Sequence, residues 1–273
     1  MTKKIQFSPV VVTQSNVETK AGQNNKPEAI NTANPVATQA NQSQNKSFYS
    51  FSAGKDFCSE EGGNMPDNGQ GKVQILIQRD NKSAGSFTLN GMCVPGGYKI
   101  LSRTDQYLYF AIRPDGLGGF YVHDYVYPNI LRMKLSDNSV EQLADMKELT
   151  TVGVSNDGNL AVYWANEGEK NANWKIVTLN TESLSKKEYV MPTKNADDSY
   201  GDYIFSPSND MLAIGVIDRN KAAENEKYLK NTFYILDLAN GTYTKYDSTN
   251  KSKYPWVNPD YVQPAEQDMN ADN

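Results

Sequence analysis

The chain has 273 residues, 38% of them hydrophobic and 22% charged, with a net charge of −5. No run approaches the roughly 18 apolar residues a membrane helix needs, and 27 basic against 32 acidic residues give no pull toward nucleic acid. Two cysteines and one histidine exclude Cys₄ and Cys₂His₂ zinc sites, and no other residue pattern implies a metal or cofactor.

Residues 1–47 form the first region. Thirteen Asn or Gln residues fall between Met1 and Lys46, and Phe7 is the only aromatic there. Such a segment buries too little apolar surface to offset its ordering entropy, so it is expected to be a disordered tether. Only Pro9 to Val12 looks strand-like. The opening Met-Thr-Lys-Lys lacks the apolar core of a secretory signal, and the tether is compatible with an anchor upstream.

Aromatics begin at Phe48, and residues 48–262 read as the folded domain. Cys58 and Cys93 both lie among turn residues, which favours a disulfide over two separate buried thiols. Closing that loop would contribute about 3–4 kcal/mol in the chain-entropy model, and a bridge implies an oxidising compartment. Pro114-Asp-Gly-Leu-Gly-Gly119 lacks the Lys of a phosphate-binding loop and reads as a turn. The next segment carries Tyr121, His123, Tyr125 and Tyr127 before Pro128. The three tyrosines share parity, as on a strand face packed inward. The alternative is a partner-binding patch of all four side chains, since Tyr gives large contact area at low entropy cost. His123 is the only histidine, and no Gly-x-Ser-x-Gly elbow accompanies it, so no catalytic residue is assigned.

From here the chain repeats. Thr151-Val-Gly-Val-Ser-Asn-Asp-Gly-Asn-Leu-Ala-Val-Tyr163 matches Asp202-Tyr-Ile-Phe-Ser-Pro-Ser-Asn-Asp-Met-Leu-Ala-Ile214, with Ser155 and Ser206 spaced 51 apart. Ser102, Ser50 and Asn258 extend the frame outward at 52 or 53 residues. A second motif, a strand ending in Leu followed by a polar turn, recurs at Asn129–Val140, Trp174–Leu184 and Phe233–Tyr243. Asp157-Gly158 and Asn240-Gly241 are hairpin signals, because both tolerate positive φ. The segment holding Val140, Leu143, Met146 and Leu149 reads as an outer strand and a connector. Lys221–Lys230 is polar almost all round and reads as a loop excursion. The segment 263–273 is polar and expected to be a disordered tail.

Each unit is therefore strand, turn, strand, long loop, strand, turn, strand, which is a propeller blade. The expected fold is all-β, a β-propeller or partial propeller of about four to five four-stranded blades with a disordered N-terminal segment. Pairing of Trp256–Val262 with Phe48–Phe51 or Val73–Ile77 would close it. Ser-Asn-Asp-Gly-Asn-Leu-Ala-Val and Ser-Pro-Ser-Asn-Asp-Met-Leu-Ala-Ile, each followed by an Ile-x-x-Leu strand, resemble the WD40-like propeller repeats of the TolB type, over about 130–247. The resemblance implies a scaffold role and carries no chemistry. The expected function is non-enzymatic binding of a protein or surface polymer outside the cytoplasm. The alternatives are an accessory domain of a hydrolase whose catalytic part is on another chain, and a glycan-binding module.

Overall fold

The computed structural model describes residues 47–56, 71–90, 92, 95–114, 127–166, 174–192, 198–218, 232–258 and 267–268. These form four antiparallel sheets stacked face to face. Blade 1 has three strands, β1 (Tyr49–Asp56), β2 (Lys72–Arg79) and β3 (Lys82–Asn90). Blade 2 contains β4 (Pro95–Arg103), β5 (Tyr107–Pro114), β6 (Tyr127–Lys134) and β7 (Val140–Thr150). Blade 3 is β8 (Val152–Val154), β9 (Leu160–Asn166), β10 (Trp174–Asn180) and β11 (Lys186–Val190). Blade 4 is β12 (Asp198–Phe205), β13 (Met211–Asp218), β14 (Thr232–Asp237) and β15 (Tyr243–Lys245). A two-residue strand, β16 (Gln267–Asp268), joins blade 2 beside β4.

Position in the stack explains the hydrophobic pattern. Blade 1 is an end, so β2 alternates: Val73, Ile75 and Ile77 are buried while Leu76 and Gln78 are exposed. Blade 2 is covered on both faces, so Leu108–Ile112 is buried without interruption. Leu108, Phe110 and Ile112 pack toward blade 1, with Phe110 stacked on Phe51 at 4.3 Å between ring centroids. Tyr109 and Ala111 point the other way, into the layer shared with Val154, Ala161 and Leu179 of blade 3. Val162 and Ile176 of blade 3 then meet Leu212, Ile214 and Leu236 of blade 4. The far face of blade 4 is covered by the chain itself: Tyr254 and Val257 bury against Ala213, Phe233 and Ile235.

Blade 1 is short for an identifiable reason. In blades 2 to 4 the strands are joined by a tight turn, a wide connection and a second tight turn. Blade 1 has a wide connection and then a tight turn at Asp80–Asn81, whose φ angles are both positive. Its strands therefore match the second to fourth strands of the others, and no described strand takes the inner position.

Four expectations change. The frame residue of blade 2 is Thr104, whose hydroxyl accepts from the Tyr107 amide as Ser155 does from Leu160 and Ser206 from Met211. Ser102 instead donates its hydroxyl to the Ser155 carbonyl across the blades. Among the described residues Tyr254–Val257 start no fifth blade; their side chains cover the apolar face of blade 4 instead. The closing contact at 256–262 does not form among the described residues. The described C-terminal pairing is Gln267–Asp268 on β4, which lies in the segment expected to be a tail. Segment 140–150, expected as an outer strand and a connector, is a strand throughout, with the link to blade 3 reduced to Thr151.

The second tight turn of blades 2 to 4 places one residue at positive φ with its amide bonded four residues back. Asn138 and Gly241 hold this place in blades 2 and 4, and Leu184, half-exposed at φ 56°, holds it in blade 3. A side chain with a Cβ and no polar end is strained there. Replacing Leu184 with Gly is expected to stabilise the fold by about 1 kcal/mol. Equilibrium urea unfolding checks it, and a lower midpoint would contradict the strain.

Candidate binding surface

Antiparallel strands reverse direction at each turn, so the connections sort onto two edges of the stack. The tight turns lie on one edge. The wide connections β1–β2, β5–β6, β9–β10 and β13–β14 all leave from the opposite edge, as does the β3–β4 link. Tyr121, His123 and Tyr125 belong to the β5–β6 connection, and Cys58 and Cys93 to β1–β2 and β3–β4. All five lie outside the described residues.

Tyr127 is described and fully buried, in the layer between blades 2 and 3 with Ile130 and Leu143. It anchors the end of the β5–β6 connection. Asn129 beside it is also buried. Its amide oxygen accepts from the Ile112 N–H at 3.0 Å, and its amide nitrogen donates to the Ile112 carbonyl at 2.9 Å. The side chain thus replaces a ladder rung where direct β5–β6 pairing has stopped at Phe110. Removing it would strand two buried backbone groups, each costing about 1–3 kcal/mol. The ends of β5 and β6 are therefore tied together beyond their direct pairing.

A second polar cluster spans the blade 2–3 boundary. Arg132 is buried and contacts Glu141 at 2.7 Å and Glu182 of blade 3 at 2.6 Å. Its guanidinium lies 4.6 Å from the centroid of the Tyr107 ring. Burial disfavours its charge, but the Glu141 hydrogen bond, the two carboxylates and Tyr109 outweigh that and hold its pKa above the ordinary value. This is a structural ion pair, since both carboxylates reach solvent and Arg132 has no open face. Sequence reading missed Arg132 and Asn129. The one available signal was a charge inside Ile130-Leu-Arg-Met133, otherwise an apolar run.

The tight-turn edge is lined with carboxylates engaged in their own turns. Ser208 and Ser206 donate hydroxyls to Asp210, at 2.5 and 2.8 Å, and hold its pKa low. The Asn240 backbone and side chain, with the Ala239 N–H, do the same for Asp237. At Asp157 partial burial pushes upward, but the Ser155 hydroxyl, the Asn159 amides and the Asn209 side chain of blade 4 prevail. Groups with depressed folded pKa values stabilise above their unfolded value, near 4, and lose that contribution as pH falls through the folded value. Thermal stability is expected to change little between about pH 7 and pH 5 and to fall below about pH 4. A melting series in matched ionic strength checks it, and a rise on acidification would contradict it.

Among the described residues no group of three or more His, Cys, Asp or Glu side chains is placed to hold a metal ion. No described helix is long and apolar enough to cross a membrane.

No family model and no curated protein sequence matches the chain. Solved structures do resemble it. TolB from Acinetobacter baumannii is 15% identical with a TM-score of 0.36, over 67% of this chain and 39% of that one. An oligogalacturonate lyase in complex with manganese is 14% identical with a TM-score of 0.39, over 64% and 42%. A putative TolB from Agrobacterium tumefaciens is 10% identical with a TM-score of 0.37, over 67% and 58%. The match thus spans less than two thirds of each of these proteins. At such scores the architecture rests on the strand topology described above.

Proposed function

We propose that this chain is a non-catalytic, propeller-derived binding module that engages a protein or surface polymer outside the cytoplasm, displayed on its Asn/Gln-rich N-terminal segment. The observation that carries this reading is the sorting of connections. Four wide connections, of very different sequence, leave a single edge of a rigid stack. Loops held on a rigid scaffold are where binding specificity is usually placed. The polar side chains on the opposite edge are spent on turns and blade contacts. Tyr121, His123 and Tyr125 are the assigned contact residues, in the connection that Tyr127 and Asn129 anchor. The location outside the cytoplasm is supported by Cys58 and Cys93, which are assigned to a bridge, and by the tether composition.

The test replaces residues 115–126 with a Gly-Ser segment of equal length in the full chain. Binding to intact cell surfaces or to isolated surface polymer is expected to drop at least tenfold while the melting temperature holds. Unchanged binding would remove this connection from the interface. Hydrolytic turnover by the purified chain would overturn the non-catalytic reading.

A further inference from the structure

We propose that Lys245, Lys251 and Lys253, in the segment after β14, form a docking patch for a linear polyanion, a surface polymer with a carboxylate or phosphate on each unit. This rests on the binding-module reading and names the partner's chemistry. All three lysines are exposed. None makes an ion pair among the described residues. Several other described cations are engaged: Lys175 with Glu188 at 2.9 Å, Arg132 with Glu141 and Glu182, and Lys187 with the Leu238 carbonyl. Residues 243–256 hold three lysines and one acid, Asp247, a local excess of positive charge in a chain of net charge −5. Asp247 lies near Lys245 but is held by its own turn. Its carboxylate accepts from the Thr249 N–H at 2.8 Å and from the Thr249 hydroxyl at 2.5 Å.

The fold holds these lysines together. Asn250 pins the turn: its amide nitrogen donates to the Lys245 carbonyl at 2.8 Å, and its amide oxygen accepts from the Asp247 N–H at 3.0 Å. The Tyr246 N–H donates to the Phe233 carbonyl at 2.9 Å, which sets Lys245 beside the start of β14. That is the edge from which the wide connections leave. Burial of Tyr254 fixes the far end of the segment, and the Lys253 ammonium lies 5.4 Å from the centroid of its ring. Residue type says what the patch accepts. An ammonium on a flexible stem is a point charge that neutralises an anion without fixing its orientation, unlike the fork of an arginine. No exposed large hydrophobic side chain is described among residues 243–258, so the anchor a folded protein partner would need is missing there. A polymer with repeated charge needs no such anchor and neutralises all three lysines at once. Because the chain as a whole is negative, this local cluster and not the net charge must supply the attraction.

The test measures binding of the full chain, at low ionic strength, to labelled alginate, a polyuronate, and to labelled poly(glycerol phosphate), with dextran and poly-glutamate alongside. Binding to one polyanion or both is expected, and which of them binds separates carboxylate from phosphate. Lys245→Gln, Lys251→Gln and Lys253→Gln together are expected to weaken it about tenfold or more and to flatten its salt dependence. Lys245→Arg, Lys251→Arg and Lys253→Arg together should retain it. A control of equal charge change, Lys82→Gln, Lys134→Gln and Lys175→Gln, should bind within about twofold of the unaltered chain, because screening confines each charge to its neighbourhood. Equal loss in that control overturns the patch, as does binding of neither polyanion or equal binding of neutral dextran. Poly-glutamate bound more tightly than both polymers assigns the lysines to an acidic protein and overturns the polymer. Should the triple Gln variant fail to melt cooperatively, Lys251→Gln and Lys253→Gln are measured singly. Each should then lose affinity several-fold, and no loss in either overturns the proposal. The 115–126 replacement leaves these lysines in place and should leave polyanion binding unchanged, so failure of either reading is separable from the other.

Discussion

Gly158→Ala is expected to destabilise the fold by about 2–5 kcal/mol, far more than Gly241→Ala, although both glycines sit in hairpin turns at similar positive φ. Gly158 has φ 75° and Gly241 has φ 70°, so the conformational penalty of adding a Cβ is shared, at about 1–2 kcal/mol. The surroundings differ. A Cβ on Gly158 would lie 2.6 Å from the Tyr109 ring, 2.7 Å from its hydroxyl and 2.9 Å from the Thr104 methyl. At Gly241 the nearest atom is a ring carbon of Tyr189 at 3.5 Å, an ordinary contact. Nor can the Gly158 turn retreat. Its carbonyl accepts from the Thr181 hydroxyl at 2.6 Å, and the Ser155 carbonyl accepts from Ser102 of blade 2 at 2.9 Å. Tyr109 cannot yield cheaply either, being buried and hydrogen-bonded to Arg132. The added methyl must therefore part blades 2 and 3 at this contact. Urea unfolding of the two variants side by side is the measurement. Equal losses would show that backbone conformation alone sets the cost.

That contact also shows which parts of the structure a single sequence could reveal. Asp157-Gly158 announced a hairpin because the turn's requirement for positive φ is local. That the same glycine must also admit Tyr109 from another blade is not local, and nothing within several residues of it records the fact. The same division runs through the repeat. Blades 3 and 4 were legible because Ser155 and Ser206 perform one local task, fixing the turn between the first two strands. In blade 2 a threonine does that task, and Ser102, two residues earlier, drew the frame away from it. Spacing then gives the true period: Thr104, Ser155 and Ser206 are each 51 apart.

Burial pattern carried similar information and a similar limit. Alternation in β2 against the unbroken apolar run of β5 separates an end blade from an inner one, which is a statement about neighbours visible in one strand. It does not say which segment supplies the neighbour. Asn129 and Arg132 illustrate the remaining gap. Each is a polar residue inside an apolar strand, and only the fold pairs one with a backbone gap and the other with Glu182 of the next blade. Tyr127 had two readings as a tyrosine of shared parity, and its burial shows it as an anchor.

The second large effect concerns the C-terminal cap. A stacked repeat needs a terminal unit that hides its last apolar face, or that face seeks a partner. Here no fifth blade lies against the far side of blade 4 among the described residues. It is covered by Tyr254 and Val257, which follow a short, exposed 3₁₀ turn, Lys251–Lys253. Tyr254 and Val257 are each 4% exposed, and Trp256 crosses Tyr254 edge-on at 6.3 Å. Among the described residues the segment is not paired into the sheet as a strand. Its bonds are local, such as Val257 N–H to the Tyr254 carbonyl, so side-chain burial is what keeps it in place. Tyr254→Ala with Val257→Ala is therefore expected to cost about 3–5 kcal/mol, the usual range for deleting a buried aromatic with its cavity. It should also uncover Ala213, Phe233 and Ile235, because the local bonds alone do not seat the segment. A stack with a bare apolar face is expected to pair with its own copy, giving a concentration-dependent dimer in sedimentation velocity. The opposite end of the stack provides the contrast. Blade 1 faces solvent with Ser50, Gln74 and Gln78, and Leu76 there is 38% exposed. Leu76→Ala should shift stability by less than about 1 kcal/mol and leave the association state unchanged. A double variant that stays monomeric with an unshifted unfolding midpoint would show that blade 4 needs no cap.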